Sequence, residues 1–379
     1  MTVDPPNPPP RSGATSDPAR ELLASVSRSF YLSLRVLPRG MRQPVSLAYL
    51  LARLTDTVAD SSRLAPARRW AWLGDLQAVL TGKTEFTPGA GWLTELQREL
   101  GPTVAHEGER ELVARAGECL RRLGTMDPRD RDELQRVLGT IVTGQRLDVE
   151  RFEGLEQVPA GDGGGGSGTD GLADGGPARL RARVMPDAQA LHDYTFAVAG
   201  CVGRFWTRMC HLHVPRWHDP VADPGGLEDW GEQLGRGLQL VNLLRDAPKD
   251  LALGRCYLPL ADAGGTHDQG GARLAAGIEW PLEQWLDRLG RVAPEWRQTC
   301  RDKLDFGASY VAATRHRRLR LAAALPWLLA ERTLARLEAA TPEQWQQGVK
   351  VPRTEVRSLL RRAGWRVVLG ADLEPLRRA

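Results

Sequence analysis

From residue 20 to the C-terminus, apolar positions recur at intervals of three and four, and runs alternating apolar with polar residues are scarce. That period is helical, because positions i, i+3, i+4 and i+7 share one face of a helix. It predicts an all-α protein with helices over 20–36, 41–61, 66–81, 108–123, 128–151, 186–213, 228–247, 281–304, 305–320, 321–339 and 353–363. Asp127 before Pro128 and Thr341 before Pro342 read as N-caps with proline in the first turn, and Asp187 after Pro186 is a weaker start signal. A side-chain oxygen there accepts from amides that the first turn leaves without partners. The period lapses in three places. Residues 1–19 form a Pro-rich leader expected to be disordered, 159–183 is too dense in glycine to support a regular element, and 263–277 reads as a surface loop. Polar motifs on either side of the 159–183 loop need each other, so 20–363 reads as one helical domain, followed by a basic tail over 364–379.

Composition narrows the class only slightly. The chain has 379 residues, 42% hydrophobic and 26% charged, which excludes wholesale disorder, a collagen-like repeat and a disulfide scaffold. A net charge of +4 is too small to argue for nucleic acid as a partner, and 47 of the 51 basic residues being Arg fits a biased genome better than selection for anion recognition. The five Cys are odd in number and lack C-x-x-C spacing, which points to a reducing compartment. The N-terminus has no apolar core of a signal peptide, and the longest apolar stretch, 321–330, is short and holds Pro326. The expectation is therefore a cytoplasmic protein. Between Arg315 and Ala379, 14 Lys and Arg stand against 6 Asp and Glu. This basic end leaves two options, a solvated face or peripheral contact with the anionic inner face of a membrane.

Candidate chemistry lies on two acidic faces. In AYLLARLTDTVAD, Asp56 and Asp60 are four residues apart and share a face with Arg53, on a helix otherwise made apolar by Leu50, Leu51, Leu54 and Val58. Two like charges at that spacing destabilise a helix unless a cation stands near them. Alone, the pair would read as an exposed acidic edge. In GRGLQLVNLLRDAPKDLALGRCYLP, however, Gln239, Asn242, Asp246 and Asp250 follow at steps of three, four and four and form one polar stripe between leucines. Unpaired amides and carboxylates inside a helical protein each cost kilocalories, so the stripe calls for a polar ligand or cations. Oxygen donors of this kind suit Mg2+, which is usually held by one or two carboxylates together with substrate phosphates. Pro248 removes an amide within the stripe, which leaves Asp250 less securely placed than Asp246. Ser27, Arg28, Arg53 and Arg245 add donors for phosphate oxygens.

Taken in order, SRSF (27–30), YLLARLTDTVAD (49–60), YTFAVAGCVG (194–203), QLVNLLRDAPKD (239–250), GRCYLP (254–259) and LPWLLAERTL…VKVPR (325–353) resemble the squalene and phytoene synthase family over roughly residues 20–360. The resemblance implies an all-α isoprenoid synthase bundle with a central active-site cavity. It also implies Mg2+-dependent head-to-head joining of two prenyl diphosphates through a cyclopropyl intermediate. Carried over by position, Asp56 and Asp60 are the first aspartate motif and Asp246 and Asp250 the second, with Gln239 and Asn242 beside it. Tyr194 matches the tyrosine thought to assist proton removal, and Ser27, Arg28, Tyr49, Arg53 and Arg245 match diphosphate- and pocket-lining positions. Lys350 and Arg353 resemble the basic segment that contacts NADPH in reductive members, although Pro352 interrupts it. Eukaryotic squalene synthases usually carry an extra acid before the last aspartate of each motif, where this chain has Ala59 and Lys249, and they carry a C-terminal anchor. These departures suggest a bacterial type.

The reading is thus a squalene synthase that condenses two farnesyl diphosphates to presqualene diphosphate and reduces it with NADPH. The alternatives are a phytoene synthase acting on geranylgeranyl diphosphate, a dehydrosqualene or presqualene-only enzyme, and a non-catalytic scaffold of the same fold. Oligomeric state is not legible. Gly200 and Gly203 allow close approach of either a neighbouring backbone or an isoprenoid chain. In CHLHVPRWH, Cys210, His211, His213 and His218 fit no zinc spacing and read as structural or surface residues. Trp206, Trp280, Trp285, Trp296 and Trp327 fall on apolar faces and read as core. Neither a Walker sequence nor a Rossmann glycine turn is present, so a nicotinamide would bind without a Rossmann domain.

Overall fold

The structure is a computed structural model, and it describes residues 36–154, 179–260 and 277–378, together with positions 22, 23, 25, 26 and 34. The leader and most of the glycine-dense segment lie outside the described residues. The elements in order are α1 (Arg39–Ala59), α2 (Pro66–Leu80), α3 (Gly91–Leu100), α4 (Glu107–Ala114), α5 (Ala116–Gly124), α6 (Pro128–Glu153), β1 (Arg179–Val184) and α7 (Ala188–Thr195). A five-residue π-helical turn, Phe196–Gly200, leads into α8 (Cys201–His213) and α9 (Pro224–Ala252). There follow β2 (Arg255–Cys256), β3 (Ile278–Pro281), α10 (Leu282–Ala313), α11 (Arg317–Ala339), α12 (Pro342–Gln347), α13 (Arg353–Val368) and α14 (Glu374–Arg378).

The predicted caps form. Asp127 accepts from the Arg129 amide, Asp187 from that of Ala190, and Thr341 forms a reciprocal box with Gln344. Asp223 caps α9 in the same way through the Gly226 amide, which starts that helix at Pro224 rather than 228. Two expected helix boundaries fail. Residues 282–313 are continuous through 304, and the break falls at Thr314–His316, where the His316 ring accepts from the Leu319 amide. The expected 108–123 helix is divided at Arg115, and α3 was not foreseen.

Helices dominate as the pattern requires, but a small sheet is added, in the order β2-β1-β3. Its central strand, RLRARV, occupies residues expected to be irregular. β1 pairs in parallel with β2, Val184 opposite Cys256, and antiparallel with β3, Leu180 opposite Trp280. Leu180, Ala182 and Val184 alternate with Arg179, Arg181 and Arg183, a strand period that the neighbouring glycines mask.

The core is a leucine-rich interior between α1, α2 and α6 on one side and α8, α9, α10 and α11 on the other. Trp285, Trp296 and Trp327 are buried in it, while Trp206 and Trp280 pack against its edge. α8 and α9 cross backbone to backbone. A Cβ on Gly203 would lie 1.8 Å from the Gly231 carbonyl, and one on Gly235 would lie 2.3 Å from that of Ala199. Close helix packing therefore accounts for Gly203. All five Cys are buried and free. The histidines around Cys210 serve structure: His213 bonds Asp130 at 2.6 Å, and His211 accepts from the Trp217 indole at 3.3 Å.

Candidate active site

The first wall is the C-terminal half of α1. Leu50, Leu51, Leu54 and Val58 are fully buried, which turns Tyr49, Arg53 and Asp56 to the other side of the helix, and Asp60 ends it as the C-cap. Asp56 Oδ1 accepts from Gln145 Nε2 at 2.5 Å. Arg53 donates to Glu109 at 2.5 Å and stands 4.0 Å from Asp56. Arg69 of α2, wholly buried, clamps the end of the helix by donating to the Ala59 carbonyl at 2.6 Å and to both oxygens of Glu153.

The second wall is α9. Pro248 does not break it, and the helix runs on to Ala252. The carbonyl that a residue-248 amide would have engaged belongs to Leu244, four residues earlier. That carbonyl instead accepts from the buried indole N–H of Trp345 in α12, at 2.6 Å. An indole from a distant helix replaces the lost backbone bond and keeps Asp250 in helical register with Asp246. Arg245 folds onto Asp246, donating to its two oxygens at 3.0 and 2.5 Å. Gln239 and Asn242 have no side-chain partner among the described residues.

A third wall joins these two, made by Gln145 and Asp148, neither of them singled out from the sequence, and by Arg255 and Tyr257 of the GRCYLP string. On α6, Gln145 and Asp148 are three residues apart on one face. The sheet brings Arg255 and Tyr257 opposite them through the bonds from Arg183 N to Gly254 O at 2.9 Å and from Met185 N to Cys256 O at 2.8 Å. Tyr257 donates to Asp148 Oδ2 at 2.9 Å, and Arg255 donates to Glu153 at 2.6 Å and lies 4.0 Å from Asp148. Tyr194, in the last turn of α7, stacks on Tyr257 with ring centroids 5.2 Å apart. The signal for α6 was available, since Gln145 and Asp148 are polar positions in a face that otherwise reads Ile141, Val142 and Val149.

The electrostatics show a site short of positive charge. Burial, reinforced by Asp60, pushes the Asp56 carboxyl up to about 6. Burial raises Asp148 to about 6 against the pull of Arg255. Burial together with Asp246 raises Asp250 to about 7. Asp60 also moves up through burial, opposed by Arg255, Arg53 and Arg69. Asp56 keeps 44% of its side-chain surface accessible although protein surrounds it. Burial, Asp148 and Tyr257 lift the Tyr194 hydroxyl well above its ordinary range.

The donor set fits divalent cations. Every candidate ligand is oxygen, and two buried acceptors, Asp148 Oδ1 and Gln145 Oε1, have no hydrogen-bond partner. Among the described residues no three His, Cys, Asp or Glu side chains converge on a single point. Such carboxylates suit ions that complete their shells with substrate oxygens. Of the other expected site residues, Ser27 and Arg28 lie outside the described residues. Lys350 and Arg353 are exposed just beyond α12 and touch none of the aspartates.

The family description "Squalene/phytoene synthase" matches residues 23–355. The chain belongs to this family. Members of the squalene/phytoene synthase family are prenyltransferases. The chain is 28% identical to a presqualene diphosphate synthase of Rhodopseudomonas palustris over 65% of its own length and 63% of that protein's. It is 25% identical to a presqualene diphosphate synthase of Zymomonas mobilis over 91% of its length and 90% of the relative's. It is also 25% identical to a 15-cis-phytoene synthase of a Paracoccus species, over 92% of this chain and 90% of that one. Among solved structures, a ligand complex of TcSQS superposes with a TM-score of 0.62 at 18% identity, covering 94% of this chain and 88% of the other. That likeness establishes the helical fold. No described helix is long and apolar enough to cross a membrane.

Proposed function

We propose that the protein joins two farnesyl diphosphates head to head into presqualene diphosphate, and that NADPH then carries this product on to squalene. The observation supporting the reading is the meeting of two aspartate walls at a half-buried Tyr194–Tyr257–Asp148 cluster. Asp56, Asp60, Asn242, Asp246 and Asp250 would hold Mg2+, which when bound supplies Lewis acidity and neutralises the leaving diphosphate. Gln239, Tyr49, Arg53 and Arg245, with Ser27 and Arg28, would position the diphosphates. Arg245 is already extended along Asp246 and can exchange that carboxylate for a phosphate oxygen.

In the reaction the allylic C–O bond of one substrate breaks and diphosphate leaves with the electron pair. The double bond of the second substrate attacks that carbon, and loss of one proton closes the cyclopropane. Tyr194 is neutral near pH 7, so it takes that proton only by passing its own onward. Tyr257 and the carboxylate of Asp148 are the acceptors in reach. For the reductive step, Lys350 and Arg353 are exposed cations without ion-pair partners among the described residues, suited to the phosphates of a dinucleotide.

The names of the Rhodopseudomonas and Zymomonas relatives favour a second reading, in which the reaction stops at presqualene diphosphate. Incubating the purified protein with farnesyl or geranylgeranyl diphosphate and Mg2+, with and without NADPH, and identifying products by mass spectrometry separates the readings. Presqualene diphosphate without NADPH and squalene with it is the expected result. Presqualene diphosphate under both conditions establishes the second reading, and phytoene from the longer substrate overturns both.

A further inference from the structure

Among the described residues most exposed large apolar side chains stand apart in sequence, but Trp365, Val368 and Leu369 stand together at the end of α13, 69%, 55% and 74% exposed. The inner face of α13, Leu359, Ala363 and Val367, is buried against α11. At about 100° per residue, Arg357, Arg361, Trp365 and Val368 fall within roughly 80° on the opposite side, flanked by Arg362 and Leu369. All three arginines are exposed, and no ion pair among the described residues engages them. Glu355, the lone acid of the helix, turns to Arg336 at 2.5 Å and to Arg332 at 3.9 Å. The outer face is therefore apolar at its end and uncompensated cationic along its length.

We propose that this face rests on an anionic lipid bilayer, with Trp365 and Leu369 at the boundary between headgroups and acyl chains and Arg357, Arg361 and Arg362 over the headgroups. Charge decides the occupant. A second copy with its α13 parallel to the first would set arginine against arginine, and an antiparallel one would offer the arginines no acid because Glu355 is turned to Arg336 and Arg332, whereas anionic headgroups complement all three. The inference does not depend on which prenyl product forms.

Flotation of the full chain with vesicles tests it. The chain should bind phosphatidylcholine vesicles containing phosphatidylglycerol, bind pure phosphatidylcholine far more weakly, and detach as salt rises and the screening length shrinks. Arg361→Gln should lower partitioning about fivefold. Trp365→Ser with Leu369→Ser should lower it at least about tenfold, with the melting curve unchanged because both positions are exposed. Val221→Ser, at an isolated residue 92% exposed, should leave binding unchanged. Equal binding to neutral vesicles, no binding, or binding that ignores the α13 substitutions overturns the proposal. So does a dimer in sedimentation equilibrium that Trp365→Ser dissociates.

Discussion

Asp148 shows how a single side chain can be poorly suited to the ligand-free fold. Its carboxyl is held at about 6 by burial, with one oxygen bonded to Tyr257 and the other unpaired. The folded value exceeds the ordinary 3.8, so this group favours folding below about pH 4, and that contribution is lost as pH rises through about 6. With divalent cations chelated, Asp148→Asn should therefore unfold at higher denaturant than the parent at pH 8, by up to about 3 kcal/mol. The two should converge at pH 4. Denaturation at both pH values checks this, and a variant less stable than the parent at pH 8 contradicts it. Asp56→Ala and Asp246→Ala should each abolish product formation while leaving the helical circular dichroism unchanged. Retained turnover in either would remove the cation role from that carboxylate. Both motif pairs were legible because their carboxylates fall at helical spacing among leucines. Asp148 was legible only as a polar position on an apolar face, and Arg255 and Tyr257 only as part of the GRCYLP string, because the elements that join them are assembled only by tertiary pairing.

Helices whose apolar stripe coincides with a strong cap, such as α6 behind Asp127, were readable nearly to the residue. Boundaries that rest on backbone geometry rather than composition were not, as at Arg115 and at Thr314–His316. Pro248 does remove a backbone bond, and the helix runs on past it, with the replacing donor about a hundred residues away. Trp345→Phe keeps an aromatic, smaller side chain and removes that donor, leaving the Leu244 carbonyl buried and unpaired. Equilibrium denaturation should show a loss of about 1–3 kcal/mol. If the indole bond is what holds the last turn of α9 in register, hydrogen exchange there, around Asp250, should accelerate while α6 is unaffected. Uniform acceleration across the fold would refute the local role.

At the scale of the whole molecule, a modest charge of +4 conceals two opposed regions. An interior of buried carboxylates holds fewer arginines than acids, and the outer face of α13 carries arginines without acids. On the readings proposed above, the first would hold cations and diphosphates and the second would rest on a lipid surface. Their separation makes the predictions separable too, since loss of vesicle binding through Trp365→Ser should leave product formation in detergent-free solution intact.

The π-helical turn Phe196–Gly200 sets the phase between two such regions of structure. An α-helix advances about 100° per residue, so one additional residue in a turn rotates everything before it against everything after it by that amount. Tyr194 can then face Tyr257 while Gly203 faces Gly231, two demands that an unbroken helix of this sequence would not meet together. The turn works as a splice between the stretch that carries Tyr194 and one cut for packing. Removing a single residue from it would leave a more regular helix and a tyrosine pointing the wrong way.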